Sequence, residues 1–335
     1  EVIDDVKGYE KDTKVGNVLD VKGGLTNDNM PTIKGTAEAG IKVDIYDNGK
    51  WIGDAKTDAN GNWEFTPKTP LADGEYNVVA IATDKAGNVS VPSNVSTINI
   101  DTHVTTPVIT EIIDDVAGGI VNGDVKNGLT NDNTPTLKGT AEPFATVKIM
   151  IDGKGKYAYV GGELINEWNV KADANGNWEF TTPKLSDGHH NFEAQATDVA
   201  GNNSQPSALV SIDVDTTAGA PKVMITADKD DNSILTATEA SSITDGKLKW
   251  VIKLPEDAKE GDRIEVANSH REWVTILTLS AADIKAGTIT RDDFSADLVK
   301  GKTGFQTPSY RIVDQAGNIS AEDADSVRFD KTAPK

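Results

Sequence analysis

The chain repeats itself, and no other feature constrains its fold as tightly. Leu25–Glu38 reads LTNDNMPTIKGTAE and Leu129–Glu142 reads LTNDNTPTLKGTAE, twelve identities in fourteen positions. Asp58–Phe65 and Asp173–Phe180 both read DANGNWEF. The string T-D-x-A-G-N stands at Thr83–Asn88 and Thr197–Asn202, and returns as D-Q-A-G-N at Asp314–Asn318. An I-x-[IV]-D-T ending stands at Ile98–Thr102 and Ile212–Thr216, with V-R-F-D-K-T at Val327–Thr332. These strings divide the chain into 1–101, 102–215 and 216–335, the last sharing only its C-terminal half with the others. Units of about 100–120 residues exceed a solenoid repeat and predict separate domains. Glu1–Val6 (EVIDDV) matches Glu111–Val116 (EIIDDV), and the terminal T-A-P resembles the linker Thr216–Pro221. Both ends are therefore expected to be cut from a longer array.

The elements read as strands. In Asn191–Thr197 (NFEAQAT) apolar and polar residues alternate, the period of a half-buried strand. Tyr76–Thr83, Thr146–Ile151 and Lys42–Tyr46 read the same way. Asn60-Gly61 and Asn175-Gly176 predict type I′ hairpin turns, and only Ala281–Ala286 suggests a turn of helix. Short strands separated by turn signals predict an all-β chain of tandem immunoglobulin-like β-sandwich domains, arranged end to end as a rod. A ten-residue strand spans ~33 Å, so the rod would be on the order of 100 Å long. Asp73-Gly74-Glu75-Tyr76-Asn77-Val78 fits the tyrosine corner of such sandwiches, and His190 takes the place of Tyr76 in the second unit.

Composition narrows the partners. Fifty-three acidic against thirty-three basic residues leave a net charge of −20. Nucleic acid, heparin and anionic membranes would meet net repulsion, whereas a cation would be attracted. The absence of cysteine excludes disulfides, thiolate metal sites and thiol nucleophiles. No apolar run approaches the ~18 residues of a membrane span, so direct insertion is not expected.

Taken in order, T-N-D-N-x-P-T-x-K-G-T-A-E, D-A-N-G-N-W-x-F, L-x-D-G-x-[YH] and A-T-D-x-A-G-N resemble the bacterial Ig-like repeats of giant, type I-secreted adhesins and Bap-type biofilm proteins. The likeness covers the first two units almost fully. In the third it rests on Tyr310–Asn318 and the end, making 216–335 a divergent copy. The resemblance implies a bacterial cell-surface or secreted fibre, calcium-bound Ig-like domains, and a role in virulence through adhesion to host cells or in biofilm. The implied partners are neighbouring Ig-like domains and a host-cell glycan or glycoprotein receptor, with the chain itself a monomer.

In an immunoglobulin-like strand order the carboxylates gather at two poles. At one, Glu38, Asp84 and Asn88 form a top site in the first unit. Asp101, Glu142, Asp198 and Asn202 converge at the first junction, and Asp215 with Asp314 and Asn318 at the second. Several oxygens from separate segments are what Ca²⁺ requires. A second set brackets the connection between the first two strands at the opposite pole: Asp4, Asp5 and Asp28, then Asp114, Asp115 and Asp132. Asp73 and Asp187 lie at the same end, as turn residues or contributors. In the third unit Asp228, Asp230, Asn232 and Glu239 follow calcium-loop spacing, with Ser233 where such loops carry Gly and strand-like flanks instead of helices. Asp and Asn are also ordinary turn formers, and each set carries that second reading.

An insertion in the second unit holds Tyr157, Tyr159 and Trp168, which would either stack a sugar as in a lectin or form a longer hairpin packed on its own sheet. His270-Arg271-Glu272-Trp273 has the same two readings. A carbohydrate-binding module array is therefore the alternative function. No H-E-x-x-H, G-x-S-x-G, P-loop or dinucleotide fingerprint is present. The acids recur once per unit whereas an active site is singular, so no enzyme is expected.

Overall fold

The computed structural model describes residues 2–4, 17–19, 24–118, 123–155, 157–160, 163–166, 168–236, 239, 248–268, 270–291 and 304–329. Backbone contacts group the chain into two compact units, Glu1–Thr110 with Leu137–Phe180 and Asn191–Val210, and Glu111–Thr136 with Thr181–His190 and Ser211–Lys335. The second repeat thus contributes to both.

Alternation decides what faces inward in the first repeat. Val43 and Ile45 on Lys42–Asp47, and Ile98 and Ile100 on Ser96–Ile100, are buried at every second position. Their sheet is ordered Gly24–Thr26, Ser96–Ile100, Gly74–Thr83, Lys42–Asp47, Lys50–Lys56. A second sheet, ordered Asn17–Leu19, Val2–Asp4, Thr32–Thr36, Asn62–Phe65, adds Val2, Ile33, Trp63 and Phe65 to the same core. Burying one such side chain stabilises by ~1.5–3 kcal/mol, and the two apolar faces close an immunoglobulin-like sandwich. Gly24–Thr26 runs parallel to Ser96–Ile100, so the opening segment gives Val2–Asp4 and Asn17–Leu19 to one sheet and Gly24–Thr26 to the other.

The K-G-T string has a packing cause. Gly35 pairs across the sheet with Trp63, and a Cβ on Gly35 would come 2.4 Å from the indole. Gly139 faces Trp178 in the same way, at 2.2 Å. The two tryptophans are 9% and 4% exposed, core residues as their matched positions suggest.

The predicted turns are corrected. At Asn60-Gly61 only the glycine has positive φ, +83°. Asp58 accepts the N–H groups of Asn60 and Asn62, both at 2.8 Å, and this side-chain cap sets the loop. Among the described residues the pairs with positive φ at both positions are Asn48-Gly49 (46° and 81°) and Asp152-Gly153 (53° and 70°), the type I′ requirement.

In the second repeat Thr146–Ile151 pairs antiparallel with Asn169–Lys171 and with residues 192–197 of Gly188–Thr197. Phe192, Ala194 and Ala196 are fully buried, as their alternation predicts. Gly128–Thr130 runs parallel to Val210–Val214. The corner bond is present in both repeats: Tyr76 Oη donates to Ala72 O at 2.9 Å, and His190 Nε2 lies 2.8 Å from Ser186 O.

Among its described residues the third segment holds three three-stranded sheets. Their orders are Lys222–Ile225, Trp250–Lys253, Thr288–Arg291; Trp273–Thr278, Arg263–Ala267, Tyr310–Val313; and Ile234–Leu235, Ser326–Phe329, Gly304–Gln306. They surround a core that includes Trp250, whose Nε1 donates to Tyr310 Oη at 3.1 Å. Ala281–Ala286 is a short helix with a capping box between Ser280 and Asp283.

Candidate cation sites at the repeat junctions

Each D-x-x-G-N loop folds around its own aspartate. Asp84 Oδ1 accepts the N–H groups of Ala86 and Asn88 at 2.8 Å, and Oδ2 accepts Asn88 Nδ2 at 2.8 Å. The Asn88 side chain, then its backbone, holds the Asp84 carboxyl below the usual aspartate range. Asp198 makes the same bonds to Ala200 and Asn202. Asp314 makes them to Gly317 and Asn318.

The preceding segment ends against this loop. Asn202 Nδ2 donates to the carbonyl of Asp101 at 2.7 Å and to Asp198 Oδ2 at 2.8 Å, with His103 O at 3.5 Å. Asn318 Nδ2 repeats the arrangement with Asp215 O at 2.6 Å and Asp314 Oδ2 at 2.8 Å. Glu142 accepts the N–H of Thr105 at 2.5 Å, and Asp257 accepts that of Gly219 at 2.8 Å. Thr105 and Gly219 stand at the same distance along the chain from Asp101 and Asp215. Asp73 Oδ1 accepts the N–H and hydroxyl of Thr102, and Asp187 Oδ1 those of Thr216. The two junctions therefore share one hydrogen-bond plan, although the third segment diverges in sequence.

The opposite-pole set is partly assembled. Asp114 is fully buried; its Oδ1 accepts the Val116 N–H at 2.9 Å and its Oδ2 the Thr130 hydroxyl at 2.7 Å. The same hydroxyl accepts the N–H of Asp132 at 3.0 Å. Asp132 is 1% exposed, with Oδ1 bonded to Thr134 and Oδ2 without a partner. Asp28 is buried and caps Met30, whereas Asp115 is exposed. Asp4 ends the strand Val2–Asp4, and Asp5 lies outside the described residues. The backbone at Gly118 lies so close to the third segment that a Cβ there would meet Gly317 O at 2.2 Å. Thr130 O also accepts the N–H of Asp215 at 2.9 Å. This pole of the second repeat thus adjoins the linker and the next D-x-x-G-N loop.

Asp228, Asp230 and Glu239 bring one carboxylate oxygen each within 4.8 Å of one another. Burial, and next the Asp230 carboxylate, push Asp228 up, while the backbone and hydroxyl of Thr236 hold Glu239 down. Ser233 adopts φ +62°, the conformation that calcium loops assign to Gly. Asn232 donates its amide to Asp230 Oδ2 at 2.7 Å.

The sequence profile of the bacterial Ig-like domain family matches residues 19–102 and 107–216, more than half of the chain. The chain belongs to this family. Bacillopeptidase F of Bacillus subtilis (strain 168) is 24% identical over 293 residues, 83% of this chain but 18% of that protein. The chain thus spans less than a fifth of this relative. Among solved structures, a tetra-tandem repeat from the extending region of a large adhesion protein is 19% identical, covering 92% of this chain and 73% of its own, with a TM-score of 0.28. The BSP domain of a biofilm associated protein is 12% identical, covering 87% and 57%, with a TM-score of 0.20.

The structure joins Asp101, Asp198 and Asn202 in one hydrogen-bonded group, with Glu142 bonded to the same linker at Thr105, and Asp215, Asp314 and Asn318 in another. Glu38, Asp84 and Asn88 line one surface depression. Asp257 escaped notice because the loop carrying it is longer than Ala141–Ala145; only the bond to Gly219 reveals the match. Asp73 and Asp187 prove to be linker clamps. Tyr157 and Tyr159 lie on Tyr157–Val160, which pairs with Glu163–Asn166 in a separate two-stranded sheet. Trp168 is half-buried. Trp273 is covered by the Arg311 guanidinium at 4.2 Å, itself paired with Glu265 at 2.7 Å.

Proposed function

We propose that these Ig-like repeats are a segment of a large bacterial adhesin, displayed at the cell surface or secreted, whose junctions are fixed by calcium. The observation that carries the reading is the position of the Asn202 amide nitrogen. It lies between the Asp101 carbonyl and the Asp198 carboxylate, two oxygens that a cation could share. Turning the amide over would bring Oδ1 beside them as a third oxygen around an adjacent ion. The carboxylates of Asp101, Glu142 and Asp198 do not all stand within 4.8 Å of one another; those of Asp101 and Glu142 would close on the ion to complete an oxygen donor set suited to Ca²⁺. Bound calcium would supply the positive charge that these acids lack. The partnerless Asp132 Oδ2 supports a second ion beside Asp114, and the Asp228–Asp230–Glu239 group a third kind of site. The shared junction plan supports treating 216–335 as a divergent Ig-like domain.

Calorimetry and thermal melts with Ca²⁺ or EDTA test the proposal. Binding at roughly 10⁻⁴–10⁻³ M or tighter is expected, with a gain of ~2.7 kcal/mol at a hundredfold excess over Kd. Unchanged melting and no binding heat would end it. On this reading a host-cell glycan or glycoprotein is the adhesive partner. A carbohydrate-binding role for the second repeat is favoured by its separate hairpin and the adjoining Trp168. Glycan arrays comparing Trp168→Ala with the native chain would show signal loss if that role is real.

A further inference from the structure

The two junctions differ in one charge. At the first, none of Asp101, Glu142 and Asp198 has an ion pair among the described residues; the His103 imidazole is turned to Asp73, at 2.7 Å. At the second, Lys259 Nζ lies 3.0 Å from Asp215 Oδ2. Lys259 comes from the long loop between Trp250–Lys253 and Arg263–Ala267, which stands where the second repeat has Ala141–Ala145. The same loop buries Asp262, 2% exposed; its Oδ2 accepts the Lys259 N–H at 2.7 Å and its Oδ1 has no partner. Asp215, Asp257, Asp262 and Asp314 line one cavity with Lys259. Asp314 is 8% exposed. Only Asp262 and Asp314 of this group are buried; the Lys259 side chain is 62% exposed and that of Asp215 22%. A buried carboxylate is costly unless a positive charge or a proton offsets it.

We propose that Lys259 is a tethered cation, its ammonium bonded to Asp215 and supplying to Asp215, Asp262 and Asp314 the positive charge that calcium supplies at the first junction, so that the second junction closes without metal. The comparison with the first junction rests on the calcium reading above; the role of the ammonium does not. An ammonium is a compact point charge with three donors on a flexible stem. Because it is held by the chain, its occupancy does not follow the calcium concentration outside. It brings one charge where calcium brings two, in keeping with the partnerless Asp262 Oδ1. Calcium depletion then loosens the first joint and leaves the second closed.

Native mass spectrometry of the whole chain counts the ions. Lys259→Met keeps the apolar stem and removes the charge. It is expected to bind one more Ca²⁺ than the native chain, and Lys259→Met with Asp215→Asn to lose that ion again. If the native chain binds none and Lys259→Met binds one, calcium at the first junction is wrong and the tethered cation stands. If Lys259→Met binds no more ions than the native chain, the inference is overturned. A second measurement needs no substitution: calcium should shift the NMR signals of the Asn202 side-chain amide and leave those of Asn318 in place. A shift at Asn318 matching that at Asn202 would also overturn it.

Discussion

His103 and Asp73 set the pH behaviour of the first linker. The Asp73 carboxylate raises the His103 imidazole above its ordinary 6.5, and His103, with Thr102, lowers Asp73 below its ordinary 3.8. The histidine's contribution is fully present below 6.5 and is lost as pH rises through its higher folded value. The aspartate's is present above 3.8 and is lost as pH falls through its lower folded value. The pair therefore acts between these limits. The melting difference between native chain and His103→Gln should be largest near pH 5–6 and vanish near pH 9; a difference constant across that range would remove the ion pair from the linker. Asn202→Ala strips donors from two part-buried oxygens and should cost ~1–3 kcal/mol in EDTA, read from denaturant midpoints. At this scale the sequence located most of the acids, because their spacing recurs. It did not show that Asn202 and Asn318 act here as donors. The orientation of a side-chain amide is chosen by its partners, and those lie about a hundred residues away.

Elements were more legible than the turns joining them. The strands containing Phe192 and Ile149 follow from alternation alone, since a one-residue slip would expose the whole apolar set. The I′ reading at Asn60-Gly61 failed because Asp58 competes for the loop's N–H groups, while the unassigned Asn48-Gly49 adopts that geometry. A second device went unread. The hydroxyls of Ser90 and Ser93 accept the N–H groups of Ala82 and Ala80 while their own N–H groups donate to the same residues' carbonyls, and Ser204 and Ser207 do the same for Ala196 and Ala194. Each serine pair brackets a proline, Pro92 or Pro206, which has no N–H for a backbone ladder. The Gly–Trp pairing gives this scale its prediction. In Gly139→Ala the new methyl meets both Trp178 and the carbonyl of Val108, each at 2.2 Å. Overpacking of this kind costs ~1–3 kcal/mol. Circular dichroism melts should show the loss for Gly139→Ala; an unchanged melt would mean that the indole moves aside freely.

At the scale of the molecule, the net charge of −20 becomes a set of local problems. The screening length is about 8 Å at physiological ionic strength, whereas a ten-residue strand such as Gly74–Thr83 spans ~33 Å. Acids inside one junction lie within that length and repel one another. On the calcium proposal each joint needs its own positive charge, which sodium chloride acting through bulk screening cannot provide. Small-angle scattering separates the two effects. On the calcium proposal, millimolar Ca²⁺ changes the profile of the native chain, and NaCl at equal ionic strength does not. Lys259→Met enlarges the change, since a second joint then depends on the ion. Equal responses to the two salts would reduce calcium to a screening ion. Identical profiles in calcium and EDTA would mean that bound ions leave the joints as stiff as they find them.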